Sequence, residues 1–385
     1  MLALVETPMP VPNPGEVLIR VAAAAVNRPD IQQRRGLYPP PSNASVVLGL
    51  DVAGCVESVG DGVAWPRAGE RVCALVNGGG YAELCVVPAV QCMPIPKGLG
   101  FVEAASLPEA FFTAWNSMIW LGRLADGETL LVQGGTSGVG MAAIQIARQL
   151  RDARVFATAG TEEKCRLCIE LGATAAVNYK SGDWASQLRS LAGSPGIDVV
   201  LDGQAGPYTD RQLDLLAEDG RVVLLASHLG ATAEVNVRNI VRRRLTLTGA
   251  TLRPRPPAYK GRIARELVEQ VWPLIERGMI RSHICARWPT PTPCSMRTSK
   301  SAKSCCWSMR RCAGRPARSC RRYRASAVSA VEQFAPGRVE DLVGQFLVAF
   351  CADRTREKQC ADEARHGGNT LAAALGFGPA GRGFG

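Results

Sequence analysis

Gln133-Gly134-Gly135-Thr136-Ser137-Gly138-Val139-Gly140 is the stretch that decides the fold of this chain. It lies between an apolar run, Thr129-Leu130-Leu131-Val132, and the helical Met141-Ala142-Ala143-Ile144-Gln145-Ile146-Ala147-Arg148. Strand, glycine-rich turn and helix, in that order, hold a dinucleotide pyrophosphate. The glycines let the backbone turn tightly and approach the phosphates, and the helix start presents N–H groups and the positive end of its dipole. A solitary glycine cluster is more often an ordinary loop. The flanks select the cofactor reading here.

Downstream the pattern repeats. Arg154 to Thr158, Ala175 to Asn178, Ile197 to Asp202 and Arg221 to Leu225 read as further strands. Helices are expected at Thr161 to Leu171 and near Asp183 to Leu191. Apolar, β-branched runs separated by amphipathic helices predict a parallel sheet covered on both faces, an α/β Rossmann domain. The first hundred residues differ. Glu16 to Val26, Asp51 to Val59, Arg71 to Val76 and Tyr81 to Val87 are short β-rich pieces between Gly and Pro turns, which predicts a barrel-like β domain. Two domains suit 385 residues. Their boundary falls near Leu107-Pro108, where a helix from Glu109 to Leu121 leads into the cofactor domain.

Composition narrows the function. Hydrophobic residues make up 46% of the chain, enough for a sizeable core. No apolar run approaches the roughly eighteen residues of a membrane span and no signal peptide is legible, so a soluble, cytoplasmic protein is expected. The net charge of +11 invites a nucleic-acid partner, but ten Lys/Arg and no Asp/Glu lie between Pro289 and Val331, which leaves +1 elsewhere. An RNA binder using that basic segment therefore ranks last. Eight of the fourteen cysteines lie from Cys285 onward without the spacing of a zinc cluster. Cys165 and Cys168 form a C-x-x-C inside a helix and read as ordinary thiols. There is no Ser/His/Asp group and no set of paired carboxylates. His228 follows the fifth strand and reads as a surface residue, with the cofactor crevice as its alternative place.

A family enters on five ordered motifs. They are Pro14 to Val21, Val26-Asn27-Arg28-Pro29-Asp30, Gly36-Leu37-Tyr38-Pro39-Pro40-Pro41, Gly49-Leu50-Asp51-Val52-Ala53-Gly54, and the glycine loop with Asn178-Tyr179-Lys180. Together these closely resemble the zinc-free quinone oxidoreductase branch of the medium-chain dehydrogenase/reductases, most of all its p53-inducible type. The resemblance covers roughly residues 1–288. It implies a GroES-like domain over 1–107, a Rossmann NADPH-binding domain over 108–250 and a return segment over 251–288. It further implies NADPH as hydride donor, a small quinone-like acceptor and a homodimer joined along the cofactor domains. No nucleic acid or membrane partner is expected. Zinc-dependent relatives place Cys at Asn27 and a His-Glu pair at Leu50-Asp51, and zinc prefers thiolate and imidazole, so no metal is expected. Only Cys85 and Cys92 stand where a structural zinc lobe would be.

The resemblance also marks the site. Asn27 and Tyr38 match positions lining the nicotinamide and substrate pocket. Asn27 is a candidate to hydrogen-bond the acceptor carbonyl or orient a water, and Tyr38 to stack on a flat ring or donate its phenol proton. The alternative is a buried, satisfied Asn27 and a Tyr38 packed on prolines. Thr113 resembles a nicotinamide-side contact. Gly135, Ser137, Gly138, Val139 and Gly140 form the phosphate loop, with Ser137 in the slot usually held by the middle glycine. NAD-preferring folds carry an acid about 20 residues beyond the loop, but Thr158-Ala159-Gly160-Thr161 has none before Glu162. Thr161, Lys164 and Tyr179 match positions that hold the 2′-phosphate, which favours NADPH. The other reading of Lys164 is a solvated helix residue. Quinones accept electrons readily and the cofactor carries the hard chemistry, so positioning suffices. An enoyl-thioester reductase uses nearly the same scaffold and is the runner-up. A nucleotide-binding protein without turnover is the third reading.

Both ends depart from the family. About a dozen residues, including a first strand, are expected before Leu2-Ala3-Leu4-Val5-Glu6. Back-translated in GC-rich codons and read two bases on, Trp288 to Met309 yields an I-G-K-I-V-L strand like the family's closing one. A frameshift near Trp288 is therefore expected. Residues 289–385 would then be a poorly packed, non-family tail on an unstable or weakly active chain.

Overall fold

The structure, a computed structural model, describes residues 2–282 and 325–330. After β1 (Leu2–Thr7), the β-rich half forms a five-stranded antiparallel sheet. It contains β2 (Glu16–Ala23), β3 (Asp51–Val59), β4 (Arg71–Leu75), β5 (Leu84–Pro88) and β6 (Cys92–Pro94), in the order β5-β2-β3-β4-β6. Its inner face buries Val17, Ile19, Val52, Val72 and Val87. Between β2 and β3 the chain leaves the sheet for a short helix, α1 (Arg28–Arg34). Asn27 and Tyr38 flank that excursion.

Two helices, α2 (Phe101–Ala105) and α3 (Pro108–Trp115), then lead to the second domain, and α3 continues as a π-helical turn over Asn116–Leu121. Phe112 and Trp115 of α3 are fully buried and share one core with Ala53 and Met93 of the first sheet and Ile144 of the second domain. The second domain alternates β7 (Thr129–Val132), α4 (Gly138–Arg151), β8 (Arg154–Ala159), α5 (Glu162–Glu170), β9 (Ala175–Asn178), α6 (Trp184–Ala192), β10 (Ile197–Asp202), α7 (Tyr208–Leu215), β11 (Leu216–Leu224), α8 (Val237–Arg243) and β12 (Thr246–Gly249). All neighbouring strands are parallel, in the order β12-β11-β10-β7-β8-β9. Strand order reverses between β7 and β10, and open sheets of this kind bind ligands in the crevice at that switch point. The glycine loop leaves β7 there.

The expected strands are present, with β9 and β10 bounded as read. β2 stops at Ala23, three residues early. β11 starts at Leu216 because Leu216 pairs with Ile197 before a register shift brings Arg221 opposite Val199. Beyond β12, α9 (Pro257–Gln270) and α10 (Trp272–Glu276) pack back on the first domain. The Trp272 indole N–H donates to the Pro94 carbonyl at 2.7 Å, and its ring meets Phe111 edge-on. Among the described residues no helix is long and apolar enough to cross a membrane. The tail expected from residue 289 lies outside the described residues, apart from β13 (Ala325–Ala330), which runs antiparallel to β1 from Leu2↔Ala330 to Thr7↔Ala325.

Candidate active site

The glycine loop is tied down at its base. Gly135 N–H donates to the Thr158 carbonyl at 2.8 Å and Gly134 N–H to Thr158 Oγ1 at 3.1 Å. Gly134 sits at φ +77, a conformation open to glycine. The first turn of α4 lies so close beneath that a Cβ on Gly140 would be 2.5 Å from the Gly134 carbonyl oxygen. Ser137 explains its own presence in the middle glycine slot. At φ −72 and ψ 159 it is extended, so glycine is not required, and its hydroxyl caps α4 by accepting from Gly140 N–H at 2.9 Å.

Above this loop a cavity of about 420 Å³ lies between the two domains. Of the residues expected from sequence, Tyr38, Thr113, Ser137, Val139 and Tyr179 line it. Gly135, Gly138 and Gly140 build the loop but are not on the wall, where Gly134 and Thr136 stand instead. Thr161 and Lys164 are off the wall too. The Thr161 hydroxyl accepts from Lys164 N–H at 3.2 Å as the cap of α5, and Glu162, the first acid after β8, accepts from the Asn178 amide at 2.9 Å. Gly160 is on the wall, and a Cβ there would lie 2.7 Å from Tyr179 Oη.

Asn27 is not on the wall. It is buried, and its side-chain amide donates to Asp51 Oδ2 at 2.7 Å. Two of the three residues in the slots used by zinc-dependent relatives, Asn27 and Asp51, therefore bond each other. Asp51 Oδ1 also accepts from Glu109 N–H at 2.7 Å, which fixes the start of α3. Beside them, Asp30 accepts from Asn27 N–H at 2.8 Å, Tyr81 Oη at 3.0 Å and Gly49 N–H at 3.1 Å. Burial, reinforced by the Glu109 charge, pushes the Asp51 carboxyl well above the usual range. Burial moves Asp30 up to about 6 despite those three donors.

The structure adds residues that the sequence did not single out. Arg253 is buried, donating to the Asn77 carbonyl from Nε at 3.0 Å and from Nη2 at 2.6 Å. Its guanidinium lies 5.2 Å from the Tyr38 ring centroid, so Tyr38 carries a cation on its face as well as prolines beside it. Burial also raises the Tyr38 phenol, which keeps its proton near neutrality. Arg28 and Glu109 line the cavity, and so does His228, which corrects the surface placement read from sequence. Burial, then the Arg28 charge, lowers His228 to about 4, so its imidazole is neutral near pH 7. Among the described residues no three His, Cys, Asp or Glu side chains are grouped to hold a metal ion.

Comparisons with known proteins agree with this architecture. The alcohol dehydrogenase GroES-like domain family matches residues 13–97 and the zinc-binding dehydrogenase family residues 138–269. The quinone oxidoreductase of Rattus norvegicus is 34% identical over 63% of this chain and 74% of its own length. The quinone oxidoreductase of Thermus thermophilus, solved also in complex with NADPH, is 31% identical. It superposes with a TM-score of 0.60 over 72% of this chain and 84% of its own. The CurK enoyl reductase is 26% identical and reaches a TM-score of 0.63 over 72% of this chain and 84% of its own. A GroES-like domain, a Rossmann domain of this strand order and the match to quinone oxidoreductases together place the chain in the medium-chain dehydrogenase/reductase superfamily, to which it belongs.

Proposed function

We propose that this chain reduces quinones or related activated carbonyl or alkene acceptors by hydride transfer from NADPH, without zinc. The observation that carries the reading is one cavity running from the glycine loop at Gly134 and Ser137 to the Tyr38 ring. The loop fits a pyrophosphate, because the space beside Gly134 is open and the capped start of α4 faces it. When bound, the reduced nicotinamide supplies the hydride. The chain supplies position. Thr113 and Val139 border the cofactor side, while Leu37, Tyr38 and Arg253 border the acceptor side. Asn27 acts from behind the wall, holding Asp51 and through it the start of α3. Asn27 and Leu50 are poor zinc ligands, and the Asn27 amide is already committed to Asp51. Leu247 on β12, at the outer edge of its sheet, and Val237 and Val241 on α8 are exposed. Those residues support a homodimer joined along the cofactor domains.

A panel of quinones and enoyl-CoA esters, assayed with NADPH and a strong chelator, tests the reading. Quinone-dependent NADPH oxidation that survives the chelator is expected. Turnover restored only by added zinc would overturn the zinc-free assignment. A strong preference for enoyl-CoA would select the second reading, which the likeness to an enoyl reductase favours.

NADPH is expected to bind more tightly than NADH. Lys164 lies in the first turn of α5, four residues beyond Gly160, and no acid precedes Glu162 after β8. A solvated ammonium–phosphate pair is worth about 1 kcal/mol. Lys164→Ala should therefore weaken NADPH about fivefold in a fluorescence titration and leave NADH within about twofold. Equal losses for the two cofactors would remove Lys164 from the 2′-phosphate site.

A further inference from the structure

Three carboxyl groups, Asp30, Asp51 and Glu109, come together where α1, β3 and α3 meet behind the cavity. They are not equivalent. Both Asp30 oxygens accept hydrogen bonds from Gly49, Asn27 and Tyr81, and both Asp51 oxygens accept from Asn27 and Glu109 N–H. Neither residue lines the cavity. Glu109 does line it, and its Oε2 is enclosed with no hydrogen-bond partner among the described residues. An enclosed carboxylate oxygen without a donor is costly, whereas a neutral carboxylic acid avoids the burial of charge and carries a proton to give. Glu109 is also one helical turn before Thr113, on the face that the cofactor-side wall shares.

We propose that Glu109 is the proton donor to the reduced acceptor, which deepens and rests on the reductase reading above. The acceptor takes up a hydride, two electrons with one hydrogen, from the reduced nicotinamide, which is thereby oxidised. Negative charge gathers on the acceptor's oxygen, the Glu109 O–H bond breaks, and a new O–H bond forms on that oxygen. The Glu109 carboxylate then regains a proton from water, so each cycle consumes one NADPH and one proton per acceptor.

The surroundings agree. Burial, then the charge of Asp30, holds Glu109 up to about 7, with the Thr113 hydroxyl pulling it back. Asp51 faces it from β3, and Tyr38, Tyr179, Arg28, Arg253 and His228 are the other titratable groups on the cavity wall. On the wall, the Tyr38 phenol is raised from 10.0 and His228 titrates near 4, so neither changes protonation near pH 7. The acid form of Glu109 exists below its pKa, so kcat/KM should fall as pH rises through about 7.

The test combines Glu109→Gln with infrared titration of the protein without cofactor or acceptor. Asp30 and Asp51 are raised as well, so the signal to follow is the wild-type minus E109Q difference: it should hold a protonated-carboxyl stretch at acid pH that disappears as pH rises through about 7. E109Q should bind NADPH normally yet turn over about 10²–10⁴-fold more slowly, without the alkaline fall in kcat/KM. Turnover within about threefold of wild type, with that fall retained, overturns the proposal. A wild-type spectrum in which no protonated-carboxyl stretch is lost near pH 7 overturns it whether or not E109Q folds. Wild-type protein with the expected infrared titration but no hydride transfer to any acceptor would instead sink the reductase reading, and the donor role with it.

Discussion

Gly140→Ala is expected to strip this chain of its cofactor while leaving the domain folded. The added Cβ would meet Gly134 O at 2.5 Å and Gly135 C and Cα at 2.9 Å each, all of them backbone. No flexible side chain is present to yield. The helix cannot retreat either, because Ala143, Ile144, Ile146 and Ala147 of α4 are fully buried. The loop must therefore lift, against its bonds to Thr158. Overpacking of this kind costs about 1–3 kcal/mol. A lifted loop also withdraws N–H donors from the pyrophosphate, and each hydrogen bond to a charged group contributes about 1.5–3 kcal/mol. Losing one such bond corresponds to roughly 10–100-fold in affinity. Tryptophan-quenching titration with NADPH should show that loss, alongside a far-ultraviolet circular dichroism spectrum like that of wild type. Unchanged NADPH affinity would mean that the phosphates do not rest on this loop.

The residues most legible in the sequence are those whose role is local. A strand buried on both faces must be apolar along its length, and so Thr129–Val132 and Ile197–Asp202 stand out as runs. The glycine loop is legible because the positive φ at Gly134 and the close approach at Gly140 each demand glycine. β12 escapes notice because an edge strand is short and only half-covered: Thr246, Leu247, Thr248 and Gly249 alternate between part-buried and exposed. Roles set by tertiary contact are harder to read. Glu109 looks like an ordinary first-turn acid, complementing the dipole of α3, until β3 and α1 close over it. Arg253, between Leu252 and Pro254, resembles any loop arginine. Its burial depends on Asn77 and Gln33, which lie 176 and 220 residues away in sequence. Asn27 is visible as the occupant of a metal slot, but its commitment to Asp51 is not, since the sequence does not say where a side-chain amide points.

The second large effect is on stability. Arg221 is 8% exposed, and its guanidinium joins three segments. Nε donates to the Gly122 carbonyl at 2.9 Å and Nη2 to the Arg123 carbonyl at 3.0 Å. The same group grips both Glu128 oxygens, at 3.0 and 2.6 Å. These bonds tie β11 to the end of the π-helical turn and to the entry of β7. Breaking a buried ion pair from one side costs about 3–5 kcal/mol, because the other charge and its acceptors are stranded. A quarter of the Glu128 side chain is exposed, at 24%, so solvent screens part of this and about 2–4 kcal/mol is the fairer figure. Arg221→Ala should then lower Tm by about 5–15 °C. Glu128→Gln removes the charge but keeps an acceptor, so it should cost only about 1 kcal/mol. The sign of the pH effect follows from Glu128. Burial pushes its carboxyl up, but the Arg221 hydrogen bonds, the Ala125 N–H and the charges of Arg221 and Arg123 outweigh that, and the net shift is downward. A carboxyl lowered on folding stabilises the native state above its unfolded pKa, about 4.3 for glutamate, and loses that contribution as pH falls through the lower folded value. The stability difference between wild type and E128Q, from urea unfolding, should be constant at neutral pH and shrink below about pH 4. A difference that ignores pH would mean that Glu128 acts through its shape alone, and the charge would have no part in joining β7 to β11.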